Sequence, residues 1–366
     1  MTAPAEAAPA PTADSMDGTS HETIGGLTYP CGEPPAPGTV KEVADGVLWV
    51  RMPLPFALQW INLWLIRDDG GWAIVDTGVG TEESRVHWRS VLGTVLGPDE
   101  KVTRVFVTHM HPDHIGLAGW LTRKYAARLW ITRLEYITCR MLVADTGREA
   151  PPEGISFFRA AGWDEDALDT YRVRFGGFGK GVSRLPDAYR RMVDGERIEI
   201  GGRAWEVVTG CGHSPDHACL WQPELKVFIS GDQVLPRISS NVSVFPTEPD
   251  GDPLDDWIAS CRKLAQRVPG DVLVLPAHNE PFVGLHRRLA DLDANHERAL
   301  SRLRDHLARE PRRAVDCFTS LFKRPIGPDL LNMATGEAVA HLNCLRGRGL
   351  AVASTDADGV QWWRAA

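Results

Sequence analysis

The sequence predicts an α/β protein in which two sheets open on one shared mouth and helices lie outside them. Three observations carry that prediction. Apolar runs of strand length recur through most of the chain, for instance over 61–67, 102–107 and 272–275. Segments with helical spacing, such as 82–96 and 254–268, stand between them. Run after run also ends close to a metal-ligating or acidic side chain, among them Asp76, His109, Asp232 and His278.

The elements follow in order. Residues 1–20 are rich in Ala, Pro and Thr and lack a basic segment followed by an apolar one, so a disordered leader over 1–25 is expected rather than a secretory signal. From residue 38 the chain turns β-rich, with a strand over 43–52 that includes a turn at Asp45-Gly46. An apolar loop over 53–60 leads to strands 61–67 and 72–75, joined by the turn Asp68-Asp69-Gly70-Gly71. Thr81 suits the N-cap of a helix over 82–96. Strand 102–107, a helix over 115–125 and a short strand over 128–131 come next. The stretch 135–194 breaks this rhythm. It holds helical pieces and then 175–181, where four glycines make a fixed element improbable, and it is expected as a lid-like insertion. Strands at 197–200, 205–209, 218–221, 226–230 and 272–275, with the helix over 254–268, complete a catalytic domain over 26–284. A long charged helix over 285–308, a short one over 312–322, two more within 330–346 and a hairpin over 350–363 outline a small winged-helix-like domain over 285–366.

Composition narrows the function. A hydrophobic content of 43% with 24% charged residues describes a soluble globular protein, and no apolar run approaches the roughly 20 residues that cross a bilayer. The formal net charge of -8 gives no overall attraction to nucleic acid, although 13 Arg and Lys against 10 Asp and Glu from Phe282 onward leave a weak local positive balance. Seven scattered cysteines without CxxC spacing suit a reduced, cytoplasmic interior. Cys211 stands beside a candidate ligand and is assigned no role.

The chemistry concentrates in Thr108-His109-Met110-His111-Pro112-Asp113-His114, directly after a buried strand. Imidazole nitrogen and carboxylate oxygen are the donors that zinc and similar divalent ions take. Pro112 stops a regular continuation of the strand, so the four groups turn toward a pocket at its carboxyl end. His213 in a Gly-rich turn, Asp232 after residues 228–231, and His278 after 272–277 each follow another strand and complete the set.

Over about 43–282 these motifs resemble the metallo-β-lactamase superfamily, in particular its two-metal hydrolases of the glyoxalase II type. The resemblance implies a four-layer αββα sandwich. It implies two divalent metal ions, most naturally zinc, with iron or manganese accepted by the same donors. His109, His111 and His213 would hold the first ion and Asp113, His114 and His278 the second, with Asp232 bridging both. Asp76, in Val75-Asp76-Thr77-Gly78, would orient the ligands from behind. Two ions roughly 3.5–4 Å apart share a water whose pKa falls toward about 7, and the resulting hydroxide attacks a carbonyl or phosphorus, with Asp113 also placed to accept or relay a proton. A tail of long helix plus winged-helix-like segment resembles the β-lactamase-like-2 hydrolases, which include thioester-type hydrolases and single-strand RNA endonucleases.

These readings favour a hydrolase of a small acyl substrate, a thioester or lactone. A metal-dependent single-strand nuclease is the alternative. Phe56, Trp60, Tyr136, Phe175 and Phe178 are candidates for an apolar substrate pocket. A membrane partner is not expected, and the C-terminal domain is a candidate surface for a homodimer.

Overall fold

The computed structural model describes residues 22–366. The leader expected over 1–25 therefore lies outside the described residues as far as residue 21. Its last part is ordered: Glu22–Ile24 pairs antiparallel with Leu27–Tyr29 at the edge of a sheet.

Two sheets stack face to face between two layers of helices. The first has seven strands in sequence order: Val40–Ala44, Val47–Pro53, Trp60–Asp68, Gly71–Val75, Lys101–Phe106, Arg128–Ile131 and Arg190–Arg191. Its first four strands are antiparallel and its last three pairings parallel. The eight-stranded second sheet runs from the 22–29 hairpin through Phe282–Val283, Leu273–Pro276, Val227–Gly231, His217–Gln222 and Arg203–Gly210 to Arg197–Ile200.

Period-two alternation along strands that are buried on both faces builds the layers. Val47, Trp49, Trp64 and Ile66 point between the sheets, where they meet Trp205, Leu220 and Ile229. Leu48, Val50, Leu63 and Leu65 point the other way, onto Trp88, Leu92 and Leu121 of the first helical layer. The second sheet's outer face is covered by Pro253–Arg267, by the long helix Leu285–Leu307 and by Leu331–Gly347, through residues such as Trp257, Leu264, Leu303 and Leu345. No helix among the described residues is long and apolar enough to cross a membrane.

Several boundaries differ from the sequence expectation, each for a physical reason. The strand expected over 43–52 is two strands, because Gly46 at φ 71° closes a hairpin between Val40–Ala44 and Val47–Pro53. The helix expected over 115–125 is two helices, Pro112–Ile115 and Ala118–Tyr125. They part at Gly116, where a Cβ would stand 2.6 Å from Gly80 N, and the next amide, Leu117 N–H, turns away to Gly78 O. Two helices expected within 330–346 are one, Leu331–Gly347. Gly336 does not break it but lets the 243–244 backbone approach, with Val244 N–H donating to Gly336 O.

The insertion is a strut. Its helices Arg133–Ala144, Pro152–Ala160 and Glu165–Arg174 are followed by a fixed 3-10 turn, Phe178–Gly181, where none was expected. Gly80 N–H donates to Gly181 O and Ser183 N–H to Gly116 O, which secures the turn to the first layer. At the other end Val315 N–H donates to Ala161 O, and Trp163 Nε1–H to Thr335 Oγ1 at 2.9 Å, which secures the helices to the C-terminal segment.

Candidate metal centre

Strand ends from both sheets deliver seven donors to one place. His109, His111, His213 and Asp232 form one group of donor atoms, and Asp113, His114 and His278 form a second, each group within 4.8 Å. His109 Nε2, His111 Nδ1 and His213 Nε2 stand 2.8, 3.1 and 3.3 Å from one another. Nitrogens at 2.0–2.1 Å from one tetrahedral cation would be about 3.3 Å apart, so the triangle has the size of a ligand face. Asp232 reaches both groups: its oxygens lie 3.3 Å from His213 Nε2, 3.6 Å from His114 Nε2 and 3.5 Å from His278 Nε2.

Backbone and side-chain acceptors set the tautomers from behind. His114 Nδ1 lies 2.8 Å from Asp76 Oδ2, and Asp76 also accepts from Thr108 N–H and Thr108 Oγ1–H at 2.8 Å each. His213 Nδ1 lies 2.7 Å from Asn241 O, and His278 Nδ1 lies 2.9 Å from Trp60 O. These oxygens only accept, so each Nδ1 carries a proton and each Nε2 faces the cluster. Asn62 holds the His278 segment to the first sheet, with its amide N–H on Ala277 O at 2.7 Å and its Nδ2 on Pro276 O at 3.0 Å.

The electrostatics call for cations. Burial holds His109 well below its usual range, with His114 and His111 adding to the effect, and lowers His111 to about 3. Burial opposes the charge on His114 as well, but Asp232, Asp76 and Asp113 outweigh it and hold that imidazole well above its usual range. Asp232, despite burial, is held well below the usual carboxylate range by His278 and His114. Positive charge is thus favoured where Asp232, Asp76 and Asp113 converge on His114. His114 Nε2 and Asp232 Oδ1 are buried without a hydrogen-bond partner, an arrangement that is costly unless something else satisfies them. Donor chemistry, donor spacing and orphaned atoms all fit a pair of divalent ions.

Two supporting residues escaped the sequence reading. Glu135, expected only as the start of the insertion, is fully buried and accepts from Met110 N–H, Ser214 Oγ–H and Asp216 N–H at 2.8, 2.6 and 2.7 Å. It ties the His109–His111 turn to the His213 turn, and burial pushes its carboxyl up to about 7. His217 stacks on His109 at 4.8 Å and accepts from Asp232 N–H at 3.1 Å. Its place just after the His213 turn, at the start of strand His217–Gln222, is visible in the sequence, but its direction is not.

The aromatic candidates divide. Tyr136 is a core residue: it stacks on Tyr189 at 4.0 Å and its hydroxyl donates to Pro186 O. Phe178 packs on the same core, and Phe175 closes the 165–174 helix against Tyr171. Phe56 is exposed, and Trp60 lies under Arg51 at 4.5 Å with its carbonyl on His278. Cys211 is outside both donor groups and burial raises its thiol.

Comparison with known proteins agrees with this architecture. The profile described as "Metallo-beta-lactamase superfamily" matches residues 61–278, and "Metallo-beta-lactamase-like, C-terminal domain" matches 300–366. The chain is 24% identical over 319 residues to a probable metallo-hydrolase, YqjP, of Bacillus subtilis (strain 168), covering 82% of this chain and 92% of that one. It is 25% identical over 251 residues to the acyl-coenzyme A thioesterase MBLAC2 of Bos taurus, covering 66% and 81%. A crystal structure of a beta-lactamase domain protein from Burkholderia ambifaria superposes with a TM-score of 0.84 at 41% identity, covering 93% of this chain and 98% of that one. With its donors gathered at the strand ends of two stacked sheets, the chain belongs to the metallo-beta-lactamase superfamily.

Proposed function

We propose that the protein is a dinuclear metal-dependent hydrolase of a small acyl substrate, a thioester foremost and a lactone next. Zinc is the ion its donors suit best, and iron or manganese fit the same donors. The observation that carries this reading is the place of Asp232, within 3.6 Å of histidines in both donor groups. His109, His111 and His213 would hold one ion, Asp113, His114 and His278 the other, and Asp232 both. Bound there, the pair would supply Lewis acidity, making a water nucleophilic near neutral pH and polarising an acyl oxygen.

The chain's own residues do the rest. Asp76, Asn241 and Trp60 keep the imidazole lone pairs turned inward. His111 and Asp113 are the members of the set that keep some exposure, so substrate approaches from their side. Asp113 is assigned as acceptor of the proton released by the attacking water. Trp60, whose carbonyl holds His278, is the aromatic residue assigned to the rim of the mouth. The name of the thioesterase relative supports the thioester over the lactone. Seven free cysteines suit a reducing compartment such as the cytoplasm.

Metal-loaded protein assayed on acyl thioesters, lactones and single-stranded RNA tests the reading. Thioester turnover is expected, and Asp232→Asn should abolish it with secondary structure intact. RNA cleavage without any acyl turnover would replace the proposal with the nuclease reading.

A further inference from the structure

Behind the metal centre lies a cavity of about 560 Å³, between the long helix, the 239–241 segment and the Leu331–Gly347 helix. Its separation from the donor cluster is three residues of chain. Ser239 lines the cavity, Ser240 Oγ donates to Asp232 O, and Asn241 O takes the proton of His213 Nδ1. Asn241 Nδ2 in turn donates to Glu337, on the cavity wall, at 2.9 Å.

The cavity is basic in a chain whose net charge is -8. Arg298 and Arg302 stand one turn apart on the long helix, and Lys323 faces them from the next segment. None of the three forms an ion pair among the described residues, whereas Arg287, Arg304 and Arg348 nearby all do. Arg302 donates Nε–H to Ser320 O, which leaves its terminal fork available. The two imidazoles on the wall add no charge near neutrality, because burial lowers His296 and His341 to about 4 each. Opposing the three cations is Glu337, which burial raises to about 7. Guanidinium forks match phosphate oxygens in geometry, and the volume is in the range of about 300–1,000 Å³ that small-molecule sites occupy. A half-open cavity of this volume has room for a single nucleotide.

We propose that this cavity binds the phosphate-bearing nucleotide end of the thioester carrier, a coenzyme A type group, with Arg298, Arg302 and Lys323 on the phosphates and the carrier's flexible arm reaching round to the mouth at His111 and Asp113. The proposal rests on the thioester reading for its biological sense, but the cavity is testable without it.

The probe is adenosine 3′,5′-bisphosphate, the nucleotide end without a thioester, titrated calorimetrically into the metal-loaded full chain. Kinetics compare an acyl-coenzyme A with the same acyl group on N-acetylcysteamine. Saturable one-site binding is expected, weakened about tenfold or more in the Arg298→Gln/Arg302→Gln double variant and again in Lys323→Gln. The double variant should raise KM for acyl-coenzyme A by a similar factor, with kcat little changed and the N-acetylcysteamine KM unmoved. All three side chains are exposed, and an unchanged melting midpoint verifies the fold. If both thioesters turn over with equal KM and the bisphosphate does not bind, the cavity proposal falls and the acyl reading stands. If neither turns over but bisphosphate binding is lost in the variants, the cavity stands as a nucleotide-phosphate site and the acyl reading falls. Bisphosphate binding that the variants leave intact, or binding of an RNA oligonucleotide in its place, overturns the proposal.

Discussion

At the scale of single residues, two buried carboxylates that are not donors organise the centre. Asp76 sits at φ 61°, a conformation unfavourable for a side chain other than glycine, and three hydrogen bonds hold it there. Because its Oδ2 takes the His114 proton, Asp76→Asn would turn a donor toward a donor. Chelator competition should then show metal affinity reduced by about 10–100-fold, with the melting curve still cooperative. Glu135 braces two turns, at Met110 and at Ser214, that lie about 100 residues apart in sequence. Glu135→Ala strands the Met110 and Asp216 amides and should destabilise the protein by about 2–4 kcal/mol in denaturant titration, with metal content falling in parallel.

At the scale of elements, the Leu331–Gly347 helix links the C-terminal segment to the centre through Glu337, Asn241 and His213. Burial raises the Glu337 carboxyl to about 7 from its ordinary 4.5, so the folded protein binds this proton more tightly than the unfolded chain does. The stability it contributes is fully present below about pH 4.5 and is lost as pH rises through about 7. Glu337→Gln, which keeps an acceptor for Asn241 and has no proton to lose, should flatten the fall in melting midpoint over that interval relative to the parent protein. An identical slope in both proteins would show that the carboxyl is not neutral in the fold.

At the scale of the whole molecule, the second sheet, its covering helices and the C-terminal hairpin share one apolar core, from Phe228 and Val274 through Trp257 to Leu345 and Trp363. Trp363 is 1% exposed and its strand is bridged to Arg312. Trp363→Ala should therefore cost about 3–5 kcal/mol in a denaturant melt. Removal of residues 285–366 should yield insoluble or molten material rather than a smaller active domain, because it uncovers that face. A soluble, cooperatively melting 1–284 fragment would contradict the shared core.

The sequence by itself determined the strand and helix periodicities, the Thr81 cap and the donor positions, because each is encoded within a few consecutive residues. Thr81 does accept from Ser84 N–H at 3.2 Å, and His109, His111, Asp113 and His114 fall in one short run of metal-ligating residue types that the fold gathers with His213, Asp232 and His278. Only the tertiary structure decided what depends on distant neighbours. Gly116 breaks a helix because Gly80 presses against it, whereas Gly336 sits within an unbroken helix and gives its side-chain space to Ser243 and the Val244 carbonyl. Tyr136 turns into the core, and Glu135, beside it on the same helix, turns to the metal turns. The basic cavity arises where Arg298, Lys323 and Ser239 meet, residues that are far apart in sequence. Local preference is a property of a short window, whereas packing and buried charge depend on the elements that surround each residue, and no window contains them.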